Sequence, residues 1–180
     1  MEPYPIKRHS RDAFALAEVC VALAVCALFG AAAFATNERL LIALREQKEA
    51  AAAAMMLQER MESFRTLPYS QVADTNYVGN NIVPKPTTSE QALGGLSETI
   101  TVSGYLTTAG TPGYPTDGST VNQWVRDSQH PNGQWLNQNL NLVSNYSLVQ
   151  VDILISWMGT NGRTRSRNLT AHFGKGNCGP

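Results

Sequence analysis

An unbroken apolar stretch from Phe14 to Ala35, carrying a single charged side chain, Glu18, constrains this chain more than any other feature. At ~1.5 Å rise per residue, its about 22 residues make a helix long enough to cross a hydrocarbon core of ~30 Å. A soluble core helix has no need of so long and so uniformly apolar a run, which therefore predicts a membrane-spanning segment. A carboxylate near the start of such a helix is costly in lipid and marks a functional position that needs a partner. The plainer role open to Glu18 is that of a residue close enough to the helix end to reach the interface.

Charge placement orients the segment. The chain of 180 residues has a formal net charge of zero, so composition implies no general attraction to nucleic acid or anionic lipid. Ahead of the apolar run, Lys7, Arg8 and Arg11 outnumber Glu2 and Asp12. That bias predicts a cytoplasmic N-terminus and an exported C-terminal bulk. A cleaved signal peptide has a shorter apolar region followed by a small-residue cleavage site, whereas here a helical pattern follows, so the anchor is retained. Cys20 and Cys26 fall inside the run as small hydrophobes, and Cys178 stands alone in a Gly-rich tail. The exported part thus has no cysteine pair from which to build a disulfide framework.

From Asn37 to Arg65 the sequence is dense in Ala, Leu, Met, Glu, Gln, Lys and Arg, the strong helix formers. Leu40, Leu44, Ala51, Met55 and Phe64 recur at near-helical spacing and predict the stripe that packs on a domain. Leu67-Pro68 ends the helix, because proline disfavours helical geometry in the residue before it. A continuous helix from about Phe14 to Arg65 would measure ~78 Å. Its first half suits lipid and its second half suits packing against a protein. Roughly 110 residues then remain for one small head.

Within that head, Tyr69 to Gln91 is polar, carries Gly79, Pro84 and Pro86, and reads as a connecting loop. Glu98 to Leu106 alternates around Ile100 and Val102 as a strand. Thr107 to Asn145 is rich in Gly, Pro, Thr, Asn and Gln, with Trp124 and Trp135 standing alone. A loop that long is unusual in a compact domain, so short elements are expected near Val121–Val125 and Gln134–Leu142. The clearest strand is Leu148 to Trp157, with Val149, Val151, Ile153, Ile155 and Trp157 on one face and Leu154 the exception on the other. Arg163 to Phe173 pairs with it as an antiparallel hairpin. Asn161-Gly162 suggests a two-residue turn. A three-residue Thr160-Asn161-Gly162 loop instead sets Ile153 against Leu169, Val151 against Ala171 and Val149 against Phe173. The buried pattern favours the second register, at the expense of setting Arg167 against Ile155.

Residues Arg11 to Gly30 resemble the N-terminus of type IV pilins and pseudopilins. Those proteins have a short basic leader, a small residue, an aromatic first mature residue, and a Glu at the fifth mature position of an apolar run. In this sequence the leader is Met1–Ala13, the junction is Ala13/Phe14, Leu16 is third and Glu18 is fifth. The helix continuation through Gln58-Glu59-Arg60-Met61-Glu62 to Leu67-Pro68-Tyr69, and the terminal hairpin with its Gly-rich tail, are similar to minor pilins and pseudopilins. The residue before the cut is usually Gly, and Ala13 in its place is expected to slow processing. Ala15 and Ala17 also replace the usual second and fourth residues. The likeness is specific for about the first 55 residues and architectural beyond them.

The resemblance implies an α+β, pilin-like fold, with a leader at 1–13, a transmembrane helix at 14–35, its amphipathic continuation at 36–67 and a β-rich head at 68–180. It implies cleavage by a prepilin peptidase between Ala13 and Phe14, and N-methylation of Phe14. Removing Lys7, Arg8 and Arg11 together with Glu2 and Asp12 takes the formal charge from zero to about −1. Glu18 would pair with the new α-amine, on its own chain or a neighbour's, with Ala22, Ala27 and Gly30 permitting close helix approach. Implied partners are the peptidase, other pilin or pseudopilin subunits, the inner-membrane assembly platform and the lipid bilayer, and not nucleic acid. Implied localisation is the bacterial inner membrane, single-pass with the head periplasmic, and then a pilus or secretion pseudopilus.

No chemistry of catalysis stands out. His9, His130 and His172 have no ligand spacing with other candidates, so no metal is expected, and no cofactor loop or nucleophile signature is present. Arg163, Arg165 and Arg167 alternate on one strand, where they either guard an edge or meet phosphate or an acidic partner. The expected function is that of a minor pilin or pseudopilin, a structural subunit and not an enzyme. Two other classes stay open: a signal-anchored extracytoplasmic binding domain that never polymerises, and a secreted binding protein or enzyme with its site in Thr107–Asn145.

Overall fold

The computed structural model describes residues 9–105, 121–138 and 146–176, with side chains from residue 16 onward in the first of these ranges. One helix, α1, runs His9–Arg65, and the chain divides into two compact units, Met1–Leu44 and Arg45–Pro180.

The first unit is helical from His9 onward. It contains one helix long and apolar enough to cross a membrane. Leu16, Val19, Leu23, Leu28, Phe29 and Phe34 are all exposed along it, so no protein surface within the unit covers them. Where the apolar run gives way to polar residues, the Thr36 hydroxyl donates back to the Ala32 carbonyl at 2.8 Å, which satisfies it without a partner from solvent.

The second unit is the α+β head. Its five-stranded antiparallel sheet has the order β3-β2-β1-β4-β5, formed by Ser97–Gly104 (β1), Val121–Arg126 (β2), Gln134–Asn137 (β3), Leu148–Met158 (β4) and Thr164–Gly174 (β5). Strand alternation decides which face is buried. Glu98, Ile100 and Val102 of β1 share a face with Trp124 of β2 and with Val149, Val151, Ile153, Ile155 and Trp157 of β4. Against them α1 lays Ala52, Ala53, Met56, Leu57, Arg60, Met61 and Phe64, an i, i+3/i+4 series. The other face carries Thr99, Thr101, Gln123, Gln150 and Asp152, together with the apolar Val121, Val125 and the exposed Leu154.

The hairpin adopts the register favoured by the buried pattern. Ile153 faces Leu169, Val151 faces Ala171, Val149 faces Phe173, and Arg167 lies opposite Ile155. The Gly159 amide donates to the Arg163 carbonyl at 2.9 Å, closing a loop of Thr160, Asn161 and Gly162. Gly162, at φ 74°, takes the left-handed position that only glycine adopts without strain.

Three expectations need correction. The packing stripe of α1 is rotated from the one inferred. Of Leu40, Leu44, Ala51, Met55 and Phe64 only Phe64 is buried, whereas Met55 is 60% exposed beside a fully covered Met56. In an Ala-rich helix the small residues give the pattern little contrast, and Leu40 and Leu44 fall in the first unit. The stretch read as a polar loop from Tyr69 to Gln91 is largely folded into short helical turns. Helix α2 spans Tyr69–Val72 and α3 spans Thr75–Tyr77, followed by a π-turn at Val78–Ile82 and a 3-10 turn at Glu90–Ala92. The Asp74 carboxylate caps α3 by accepting from the amides of Asn76 (2.9 Å) and Tyr77 (3.3 Å). Tyr69, Val72, Ala73, Val78, Ile82 and Val83 join the core from this segment. Burial pushes the Tyr69 hydroxyl pKa up, and the hydroxyl donates to the Tyr146 carbonyl at 2.5 Å.

Trp124 and Trp135, read as isolated, are instead cross-strand partners on β2 and β3. Gly133 (φ 73°) leaves the space that the Trp124 ring occupies, since a Cβ there would fall 1.7 Å from it. The strand expected to reach Leu142 ends at Asn137, with Gln138 beyond it, and residues 139–142, Leu106 and Cys178 lie outside the described residues.

The rotated stripe makes a direct prediction. Phe64→Ala should destabilise the head by about 3–5 kcal/mol, whereas Met55→Ala should change it by less than ~0.5 kcal/mol. Urea unfolding of the full-length chain in detergent, followed by fluorescence of Trp124, Trp135 and Trp157, measures both.

Candidate functional site

The residues singled out for processing and assembly all lie on the first unit. Ala13 and Phe14 are inside α1, which begins at His9, so the expected junction is helical backbone; their side chains are not among those described. Glu18 is exposed and has no hydrogen-bond or ion-pair partner among the described residues. Positions four apart stack on one face of a helix, so Glu18, Ala22, Cys26 and Gly30 form a single ridge, flanked by Ala27. Ala22 and Ala27 are exposed and Gly30 is half-exposed, with nothing within 4 Å of where its Cβ would stand. Cys20 and Cys26 are free and exposed. The helix therefore presents one carboxylate and a row of small surfaces to its surroundings. Such a face lets another helix approach closely and supplies it with a single negative charge.

A second group of residues lies in the head and was not foreseen. The Glu98 carboxylate of β1 has no exposure, and its two oxygens are held by two arginines. Arg60 of α1 donates from Nε to Oε1 at 2.7 Å and from Nη2 to Oε2 at 3.0 Å, a bidentate pair. Arg126 of β2 donates from Nη2 to Oε2 at 2.8 Å. The third arm of Arg60, Nη1, reaches the Ile82 carbonyl at 2.6 Å at the end of the π-turn. Arg126 Nη1 continues outward to Glu90 Oε1 at 2.7 Å, and Glu90 Oε2 accepts from the Thr87 amide at 3.3 Å. Two guanidiniums and two carboxylates cancel formally, which is how four such groups are tolerated where Arg60 is 2% and Arg126 7% exposed. Arg126 Nε and Thr87 Oγ1 are buried without a partner among the described residues.

This cluster was legible in outline. Glu98 falls in phase with Ile100 and Val102, and Arg60 falls four residues from both Met56 and Phe64. A charge that keeps step with a buried stripe signals a buried partner of opposite sign on the facing element. Further along α1, Glu46 accepts from Arg165 Nη2 at 2.8 Å and from the Asn161 side chain at 2.9 Å, while Glu49 accepts from the Thr160 hydroxyl. The helix is thus strapped to the β4–β5 turn by two carboxylates, and Arg165 meets an acidic partner on its own chain.

Among the described residues, no group of three His, Cys, Asp or Glu side chains is placed to hold a metal ion. No family model, curated protein or solved structure matches this chain.

The buried cluster sets two opposite outcomes for substitution. Glu98→Ala strands two guanidiniums and should cost about 3–5 kcal/mol. Replacing Arg60, Glu98 and Arg126 together by Met, Leu and Leu should recover most of that loss, within ~2 kcal/mol of the starting chain. Urea midpoints of the three full-length proteins in detergent decide it; a triple variant no better than Glu98→Ala would show that the charges do more than cancel.

Proposed function

We propose that this protein is a structural subunit of a type IV pilus-like or type II secretion filament, made as a membrane-anchored precursor and assembled through its N-terminal helix. The observation that carries this reading is the solvent-facing apolar helix with one carboxylate near its start that has no partner among the described residues. Apolar residues of this number cannot remain in water, so the helix is held by lipid before assembly and by other helices afterwards. The work is assembly, not catalysis.

Cleavage after Ala13 would change the physics at the start of the helix in three ways. It removes the basic leader that holds the N-terminus at the cytoplasmic face. It creates a cationic α-amine at Phe14, one turn from Glu18. It also frees the first helical amides, whose partial positive charge favours a nearby carboxylate. Glu18 is then neutralised by its own chain's amine or by that of a neighbouring subunit, and a misregistered subunit leaves a charge unpaired in an apolar bundle. Methylation of Phe14 preserves that amine's positive charge. Ala22, Ala27 and Gly30 set how closely the helices approach. The prepilin peptidase, sister subunits and an inner-membrane assembly platform are the partners of this cycle, with the head on the periplasmic side and then on the surface of a pilus or pseudopilus.

Two measurements test it. Mass spectrometry of the native protein should find a chain beginning at N-methylated Phe14, and Glu18→Gln should leave the membrane-inserted chain intact while removing it from filaments. An intact Met1, or Glu18→Gln incorporated normally, rejects the reading. The helical junction adds a finer expectation. A peptidase needs the scissile bond unwound, and Ala holds a helix better than Gly by about 1 kcal/mol. Ala13→Gly should therefore speed appearance of the mature chain by up to about fivefold in a pulse-chase.

A further inference from the structure

The outer edge of the sheet is built unevenly. Its β3 edge is a strand of four residues, whereas β5 at the other edge has eleven. The Gly159 amide bonds the Arg163 carbonyl and the Lys175 amide bonds the Ser147 carbonyl, which fixes the odd-numbered residues of β5 as the ones exchanging hydrogen bonds with β4. The amides and carbonyls of Thr164, Ser166, Asn168 and Thr170 accordingly turn outward. No strand among the described residues pairs with them.

Beside that edge runs a groove of about 370 Å³, lined by Ala54, Leu57 and Gln58 of α1 and by Arg167 and Leu169 of β5. Leu169, Ala171 and Phe173 face the helix but are only partly buried against the core, so an apolar row stays half open. At the other end of the same face stand cations. From Arg163 to Lys175 the chain holds Arg163, Arg165, Arg167 and Lys175 and no acidic residue. Arg165 is occupied by Glu46, while Arg163 and Arg167 are exposed. The nearby carboxylates are already engaged: Glu46 by Arg165 and Asn161, Glu49 by Thr160, and Asp152, on the opposite face, by Thr170 and Gln150. Glu62 stands beside Arg65 at 3.7 Å.

We propose that β5 receives an extended segment of a different protein as a sixth, antiparallel strand, with acidic side chains opposite Arg163–Arg167 and apolar ones opposite Leu169–Phe173. Main-chain bonds to Thr164, Ser166, Asn168 and Thr170 supply the pairing, and the alternate side chains of the partner enter the groove and supply selectivity. A second copy paired antiparallel would lay its own apolar half opposite the arginines and leave them without a counter-charge, whereas a strand carrying carboxylates there neutralises them. Edge protection alone accounts for the charges but not for the half-open apolar row beside them. The inference stands on the head alone and holds whether or not the protein polymerises.

The test uses the full-length chain in detergent micelles and a dye-labelled ten-residue peptide. The peptide carries Thr at outward positions and, inward, Val in its first half and Glu in its second. Fluorescence anisotropy should show saturable binding, weakened at least about tenfold when Lys replaces Glu. N-methylation of the peptide amides that face β5 should abolish it. Asn168→Pro, which removes an outward amide and leaves the pairing to β4 intact, should weaken binding to a similar extent. R163E/R167E should reverse the preference toward the Lys peptide, which a merely unfolded variant cannot do. Absence of saturable binding, or equal affinity for the N-methylated peptide, overturns the proposal.

Discussion

A carboxylate with no access to water sits at the centre of this head, and the arrangement of everything around it follows from the need to neutralise it. Glu98 stands on β1, the middle strand of the sheet, in phase with Ile100 and Val102. An unpaired charge there would cost several kcal/mol, so the fold must bring cations to it from elements far apart in sequence. Arg60 comes from α1 and Arg126 from β2, and Arg60 also collects the Ile82 carbonyl from the segment between helix and sheet. Four separate parts of the chain are thus tied at one point. The guanidinium fork has a fixed geometry, so sliding α1 by one residue along the sheet would break both bonds to Glu98 at once. Apolar packing of Ala, Leu and Met tolerates such slips far better. The ion cluster supplies register where the hydrophobic stripe supplies adhesion.

That division of labour explains what the sequence disclosed and what it withheld. Strands β4 and β5 were legible because Val149, Val151, Ile153, Ile155 and Trp157 alternate cleanly, and the hairpin register followed from matching that row to Leu169, Ala171 and Phe173. Helix α1 was legible as a helix but not in its rotation. Between Ala50 and Met56 nearly every side chain is apolar, so periodicity alone cannot distinguish Met55 from Met56. The deciding signal was polar: Arg60 points the way to the buried face, because the carboxylate that neutralises it, Glu98, lies on the sheet. The stretch from Tyr69 to Gln91 reads as a loop for a related reason. Its turns are three to five residues long, too short to show a period, and they are held by local devices such as the Asp74 cap and by burial of Val78, Ile82 and Val83. The first unit was the easiest part to read as a helix, because its run of helix-compatible apolar residues is long and unbroken by proline.

The chain therefore solves one electrostatic problem in two settings, and the comparison bears on how the proposed assembly would work. Glu98 is neutralised within the fold: two arginines reach it as soon as helix and sheet dock, and the cost of its burial is offset at that moment. Glu18 has no such partner among the described residues and stands on a helix whose apolar neighbours are all uncovered. A carboxylate whose counter-charge is supplied internally reinforces folding. One whose counter-charge is supplied by a neighbouring subunit would reinforce association, since every geometry that leaves it unpaired in an apolar bundle is penalised. Placing the first kind in the head and the second in the apolar helix separates the two events. The head folds with Glu98 satisfied, and in the proposed assembly the requirement at Glu18 would be met by the amine freed at Phe14, of its own chain or of a neighbour.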